Sequence, residues 1–200
     1  AILKLQKAER AFFMERIVKV GIIGCGGIAN GKHMPSLKKI PNVQMTAFCD
    51  IISEKAEKAA KEFGVPGAKV YTDYKQLLKE ADVEVVHVLT PNLEHADISI
   101  DALHAGKHVM CEKPMAKTAA DAKRMLDAAK ETGKKLTIGY QHRQKAQSIV
   151  SKSFVERGDL GEIYHANCFA VRRRGTPNWG VFLNEEEQGG GPVIDIATHS

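Results

Sequence analysis

No run in the 200-residue chain approaches the ~20 consecutive apolar residues that a membrane-spanning helix needs. A membrane-embedded role is therefore not expected. There is no long basic run either. The 29 Lys and Arg stand against 24 Asp and Glu, a formal charge of +5, with no stripe of basic and aromatic residues. That argues against a nucleic-acid partner. Cysteine is sparse and scattered: Cys25, Cys49, Cys111 and Cys168 form no CxxC pair. Neither a metal site nor a disulfide framework is suggested, and the reduced thiols of a cytoplasmic protein are expected. Aromatic residues are only 6% of the chain, with one tryptophan. Residues 1–13 lack the apolar segment of a signal peptide. Residues 1–15 are read as an N-terminal extension.

What is present is a rhythm. Short β-branched runs at Val18–Ile23, Met45–Cys49, Val70-Tyr71, Val83–Leu89, His108–Cys111 and Leu136–Gly139 alternate with helical stretches. These run over Ser53–Phe63, Tyr74–Lys79, about Leu93–Ala105, and onward from Thr118 to Gly133. Ser53 and Thr118 are the expected N-caps, and Gly64 and Gly133 the stops. Strands of this length between helices indicate βαβ units and a parallel sheet. The fold class is α/β: a doubly wound parallel sheet over residues 16–140. After Tyr140 the rhythm changes. A helix from Lys145 to Glu156, a long strand from Ile163 to Val171 and an irregular Gly- and Arg-rich stretch read as the incomplete start of a second domain, residues 141–200.

The stretch GIIGCGGIAN holds Gly24-x-Gly26-x-x-Ala29 between a strand and a helix. The first glycine permits a tight turn, the second lets the main chain approach a pyrophosphate, and the small third residue lets the helix pack on the strand. The helix N-terminus offers free N–H groups to phosphate. Gly27 and Ile28 complete this loop. Asp50 closes the second strand, 21 residues beyond Ala29, where a carboxylate accepts ribose hydroxyls. A 2′-phosphate would bring about −2 charge close to it, and at ~4 Å and an effective dielectric of ~20 each unit pair repels by ~4 kcal/mol. Lys55 is the nearest base, so NAD is favoured over NADP. A helix-capping Asp is the plainer alternative.

Ligands of such sheets lie beyond the carboxyl ends of the strands. Strand four ends in Thr90-Pro91-Asn92-x-x-His95, strand five in Glu112-Lys113-Pro114, and strand six in Tyr140-Gln141-His142-Arg143. Asn92 could cap a helix or meet the cofactor, with His95. Lys113 precedes proline, which keeps it out of helical geometry and directs its side chain away from the strand end. Its ammonium could stabilise a developing alkoxide; a surface Glu–Lys pair is the bland alternative. Glu112 could hold Lys113 or a ribose hydroxyl. Thr90, Pro91, Asn92, His95, Glu112, Lys113 and Gln141 are the candidate cofactor contacts here. Near the end of the chain, Gly189-Gly190-Gly191-Pro192 leads into a helical pattern with Asp195 and His199 on one face. That pair could be a surface pair, a metal pair without an evident third ligand, or a base and its modulating acid.

In this order, GCGGIA, a strand-end Asp, TPNxxH, EKP and GGGPxxDxxxH resemble the glucose–fructose oxidoreductase, inositol dehydrogenase and rhizopine-catabolism (Gfo/Idh/MocA) family, from about Arg16 to Ser200. The resemblance implies an N-terminal NAD(P)-binding Rossmann domain. It also implies a C-terminal α+β domain with a large, mostly antiparallel sheet, and assembly into homo-oligomers. It implies oxidation of a sugar or cyclitol hydroxyl. Lys113 would be the active-site lysine, and Asp195 and His199 the acid–base pair. Arg143, Arg172 and Trp179 would lie on the substrate side. Two alternatives stand beside this: cleavage of a glycoside through transient oxidation, and NAD sensing without catalysis.

Overall fold

Six short apolar runs pair into one sheet. The computed structural model describes residues 16–169, 175 and 180–199. In it β1 (Val18–Ile23), β2 (Val43–Cys49), β3 (Lys69–Tyr71), β4 (Val85–Val88), β5 (His108–Cys111) and β6 (Leu136–Ile138) lie in the order β3-β2-β1-β4-β5-β6. All pairings are parallel. This is the doubly wound Rossmann order. It reverses between β1 and β4, which opens a crevice at their carboxyl ends.

The connections are helical. A π-helical turn, Ala29–His33, runs into α1 (Met34–Leu37). Then come α2 (Ser53–Phe63), α3 (Tyr74–Glu80), α4 (His95–His104) and α5 (Ala119–Thr132). Beyond the sheet lie α6 (Ala146–Glu156), α7 (Glu185–Gln188) and α8 (Gly191–Asp195).

Both faces of the sheet are covered. Val20, Ile22, Met34, Met45, Phe48, Ala56 and Ala59 fill one side. Leu77, Val86, Val88, Ile98, Leu103, Val109 and Met125 fill the other. Each large side chain buried this way contributes roughly 1.5–3 kcal/mol. Met45 and Phe48 share a face although they are three residues apart. The reason is a bulge: Val20 opposes Met45 but Gly21 opposes Ala47, which leaves Thr46 as the extra residue. Cys25, Cys49 and Cys111 are free and buried, and burial above all pushes their thiols up to about 12. They pack and do not act as nucleophiles.

Thr118 caps α5 as expected, its hydroxyl oxygen accepting the Asp121 N–H at 3.1 Å. Ser53 does not cap α2. It is the helix's first residue, and its hydroxyl donates to Glu57 Oε1 at 2.8 Å. The preceding turn is closed by Asp50, whose Oδ1 accepts the Ile52 N–H at 3.0 Å. The strand expected over Ile163–Val171 is absent from residues 163–169, and residues 170–171 lie outside those described. A strand needs a neighbour to satisfy its N–H and C=O groups. No described residue pairs with this segment, and Tyr164 and Phe169 stand almost fully exposed. The described residues beyond 140 contain helices and no strand. No helix among the described residues is long and apolar enough to cross a membrane.

Candidate active site

The crevice begins at the glycine loop. Gly24 has φ +91°, and a Cβ there would stand 2.7 Å from the carbonyl of Leu89. Only glycine lets the chain leave β1 this close to the end of β4. A Cβ at Gly26 or Gly27 would meet nothing within 4 Å. Those two positions face open space, as a main chain does when it must be approached by a ligand. The loop is locked from below. Asn30 Nδ2 donates to the carbonyls of Cys25 at 2.7 Å and Gly26 at 2.8 Å. Asp50 Oδ2 accepts the Cys25 N–H at 2.8 Å. Each Asp50 oxygen thus receives one main-chain N–H and keeps a lone pair for a further donor. The set fits a dinucleotide: open glycine amides for phosphate, a strand-end carboxylate for a ribose, and Ile28 and Ala29 at the start of the helical turn.

The loops after β4, β5 and β6 supply the other wall. His95 is 1% exposed, and its ring is spent. Nδ1 lies 2.8 Å from the Pro114 carbonyl and Nε2 3.0 Å from that of Thr90. Burial holds its pKa below the ordinary value, against the two carbonyls that favour the doubly protonated ring. The neutral ring has one N–H and donates to one of these carbonyls while its other nitrogen abuts the second, so His95 sits between the Thr90-Pro91 and Lys113-Pro114 loops with neither nitrogen turned to a ligand. Asn92 does not cap a helix. Its Nδ2 donates to the Gln188 carbonyl at 2.9 Å. Thr90 Oγ1 is buried with no partner among the described residues. Gln141 and Arg143 lie exposed on the 3-10 turn Gln141–Gln144.

Lys113 and Asp195, 82 residues apart, come together. The ammonium donates to the Asp195 carbonyl at 2.9 Å and pairs with its carboxylate Oδ1. Both side chains remain partly exposed, so the pair sits at the rim of the crevice. Two further bonds fasten the same late segment to the sheet: Lys117 Nζ to the Glu186 carbonyl, and the Asn92–Gln188 bond. His199 follows α8 on the 3-10 turn Ala197–His199. Its ring stacks on His142, centroids 4.6 Å apart and planes 21° apart. Its Nδ1 is buried without a partner among the described residues. Burial first, then the positive charge of Lys113, holds its pKa below the ordinary histidine value. At neutral pH the ring is therefore a proton acceptor.

Arg172 and Trp179 lie outside the described residues. The sequence does not single out Asn30, His33 or His87 of this neighbourhood, and places His142 only within the polar loop after β6. The available signals were faint. His87 interrupts the apolar run VEVVHVL, and His33 stands four residues beyond Ala29.

Residues 18–140 match the model of the oxidoreductase family with an NAD-binding Rossmann fold, Gfo/Idh/MocA. The chain is 40% identical over 182 residues to D-glucoside 3-dehydrogenase of Escherichia coli, covering 91% of this chain and 51% of that protein. It is 36% identical over 166 residues to inositol 2-dehydrogenase of Salmonella typhimurium, covering 80% of this chain and 49% of that one. The crystal structure of scyllo-inositol dehydrogenase from Lactobacillus casei, with bound NAD(H) and scyllo-inositol, superposes with a TM-score of 0.69. Its identity is 26%, over 74% of this chain and 43% of that one. The chain spans about half the length of these curated relatives. Glycine loop, strand order and matched residues agree: the chain belongs to the Gfo/Idh/MocA oxidoreductases and carries their NAD-binding Rossmann fold.

Proposed function

We propose that this chain is the cofactor-binding part of a dehydrogenase that oxidises a secondary hydroxyl of a sugar, glycoside or cyclitol. The observation that carries the reading is the Lys113–Asp195 pair at the carboxyl end of β5, with a neutral His199 close behind it. A sensor of the cofactor needs the glycine loop and has no use for this second constellation. The named relatives act on a glucoside and on inositol, which supports the substrate class.

NAD supplies the acceptor for the carbinol hydride when bound. The chain's own residues do the rest. The amides around Gly26 and Gly27 would face the NAD pyrophosphate, and Asp50 would accept from its adenosine ribose. Lys113 donates to the substrate oxygen and stabilises the negative charge that develops there. His199 takes the hydroxyl proton. Asp195 fixes the ammonium in place through both its carbonyl and its carboxylate. We assign substrate-contact roles to Arg143, Arg172 and Trp179. We assign residues 141–200 to a substrate-side unit. We place the protein in the cytoplasm, as a homo-oligomer, with its cysteines reduced.

A panel of glycosides, aldoses and inositols, offered to the intact protein with NAD and with NADP and followed by reduced-cofactor absorbance, tests this. NADH is expected with at least one of them. NADP is expected to be at least about tenfold poorer, because its 2′-phosphate would face Asp50. Failure of every compound overturns the reading.

A further inference from the structure

Beneath the site runs a buried polar chain that the chemistry above does not use. His87 points into the interior from β4 and is 9% exposed. Its Nδ1 lies 3.1 Å from Nδ1 of His33, in the π-helical turn after the glycine loop. His33 Nε2 lies 2.7 Å from Glu112 Oε1 at the end of β5. Glu112 is 8% exposed, and its other oxygen accepts the main-chain N–H of Lys113 at 3.0 Å. The carboxyl is also packed against Gly139: a Cβ there would stand 3.2 Å from it.

The protons of this chain can be counted. Burial would raise the Glu112 pKa, but the bonds from His33 and from the Lys113 N–H outweigh it and leave it below the ordinary value. Glu112 is therefore an acceptor at both oxygens, and His33 Nε2 carries a proton. Burial, then the charge of His33, pushes His87 down to about 3, so it is neutral. One proton lies between the two Nδ1 atoms. The contacts link β4 through the cofactor-side turn to the main chain of the lysine, with Glu112 accepting from both sides.

Its end point is informative. Lys113 is followed by Pro114, which has no N–H. The Glu112 N–H is taken by Val88 O of β4 at 3.0 Å. The Lys113 N–H is thus the last main-chain donor of this strand end, and the acceptor it finds is the carboxylate of its own neighbour.

We propose that His33 and His87 are positioning residues for Lys113, acting through Glu112: they hold one carboxylate oxygen so that the other fixes the main chain from which the lysine projects. The proposal rests on the reading of Lys113 as the group that meets the substrate oxygen. His33→Leu is expected to lower kcat about 10–100-fold, the size of a small misplacement at a reacting centre. Substrate KM and the NAD Kd are expected to stay within about threefold. Hydrogen exchange at the Lys113 amide, followed by NMR, is expected to accelerate. His33→Gln places an amide N–H where Nε2 stood, and is expected to restore most of kcat and of the protection. His87→Phe keeps a ring in the interior without the hydrogen bond and is expected to fall between. If the Leu and Gln variants behave alike, both normal or both impaired, the positioning role is overturned; a normal His87→Phe variant overturns the part given to His87. The amide readout needs no substrate. If the wild-type protein oxidises nothing, the dehydrogenase reading fails on its own, and exchange at Lys113 still decides this one.

Discussion

Replacing Lys113 by alanine is expected to lower kcat by about a thousandfold, within the range that positioned proton donors and oxyanion stabilisers contribute. The same change is expected to leave the NAD Kd within about threefold. The asymmetry follows from where the side chain goes. Its ammonium reaches Asp195, while its main-chain N–H stays with Glu112. Alanine removes the first contact and keeps the second. Initial rates and calorimetric titration of the same preparation check this. Joint loss of binding and turnover would make Lys113 part of the cofactor cradle. Retained turnover would remove it from the chemistry.

Gly24→Ala is expected to cost about 3 kcal/mol of stability, from a strained positive φ and a forced contact with the Leu89 carbonyl. For a chain of this size that is a fall in Tm of roughly 6–12 °C. NAD binding should weaken with it, since the loop leaves β1 through that residue. Gly26→Ala separates the two effects. Its Cβ meets no protein atom within 4 Å, so Tm is expected to hold within about 2 °C. NAD affinity should nevertheless fall at least about tenfold, because the methyl occupies space that the pyrophosphate needs. Thermal melts with and without NAD check both variants. A Gly26→Ala protein that binds NAD normally would contradict the placement of the phosphates.

The sheet was legible because parallel strands covered on both faces are written as short, nearly continuous β-branched runs. Their order follows once the glycine loop is recognised as the first turn of a doubly wound unit. The meeting of Lys113 with Asp195 was legible through the ordered motifs, and nothing local announced it. That the polar loops after β4 and β5 meet at one edge is legible from the parallel order, but the contacts of their atoms are not. His95 looks like a ligand contact in TPNLEH, but its burial and two carbonyl neighbours are tertiary facts. The His87–His33–Glu112 chain was invisible for a related reason. Its members are 54 and 79 residues apart and meet through a π-helical turn that no pattern of apolar residues encodes. The bulge at Thr46 is likewise set by pairing with β1 and not by its own side chain. The strand expected over residues 163–171 shows the converse. β-branched and aromatic residues favour extended chain, but only a paired neighbour makes a strand of it.

Single-turnover reaction of the intact protein with NAD and a substrate deuterated at the carbinol carbon tests the dehydrogenase assignment most directly. Deuterium is expected in the reduced nicotinamide recovered from wild-type protein, and its transfer is expected to be about a thousandfold slower in the Lys113→Ala variant despite normal NAD binding. Reduced cofactor without deuterium, or none with any accepted ligand, would contradict the assignment of this crevice to carbinol oxidation.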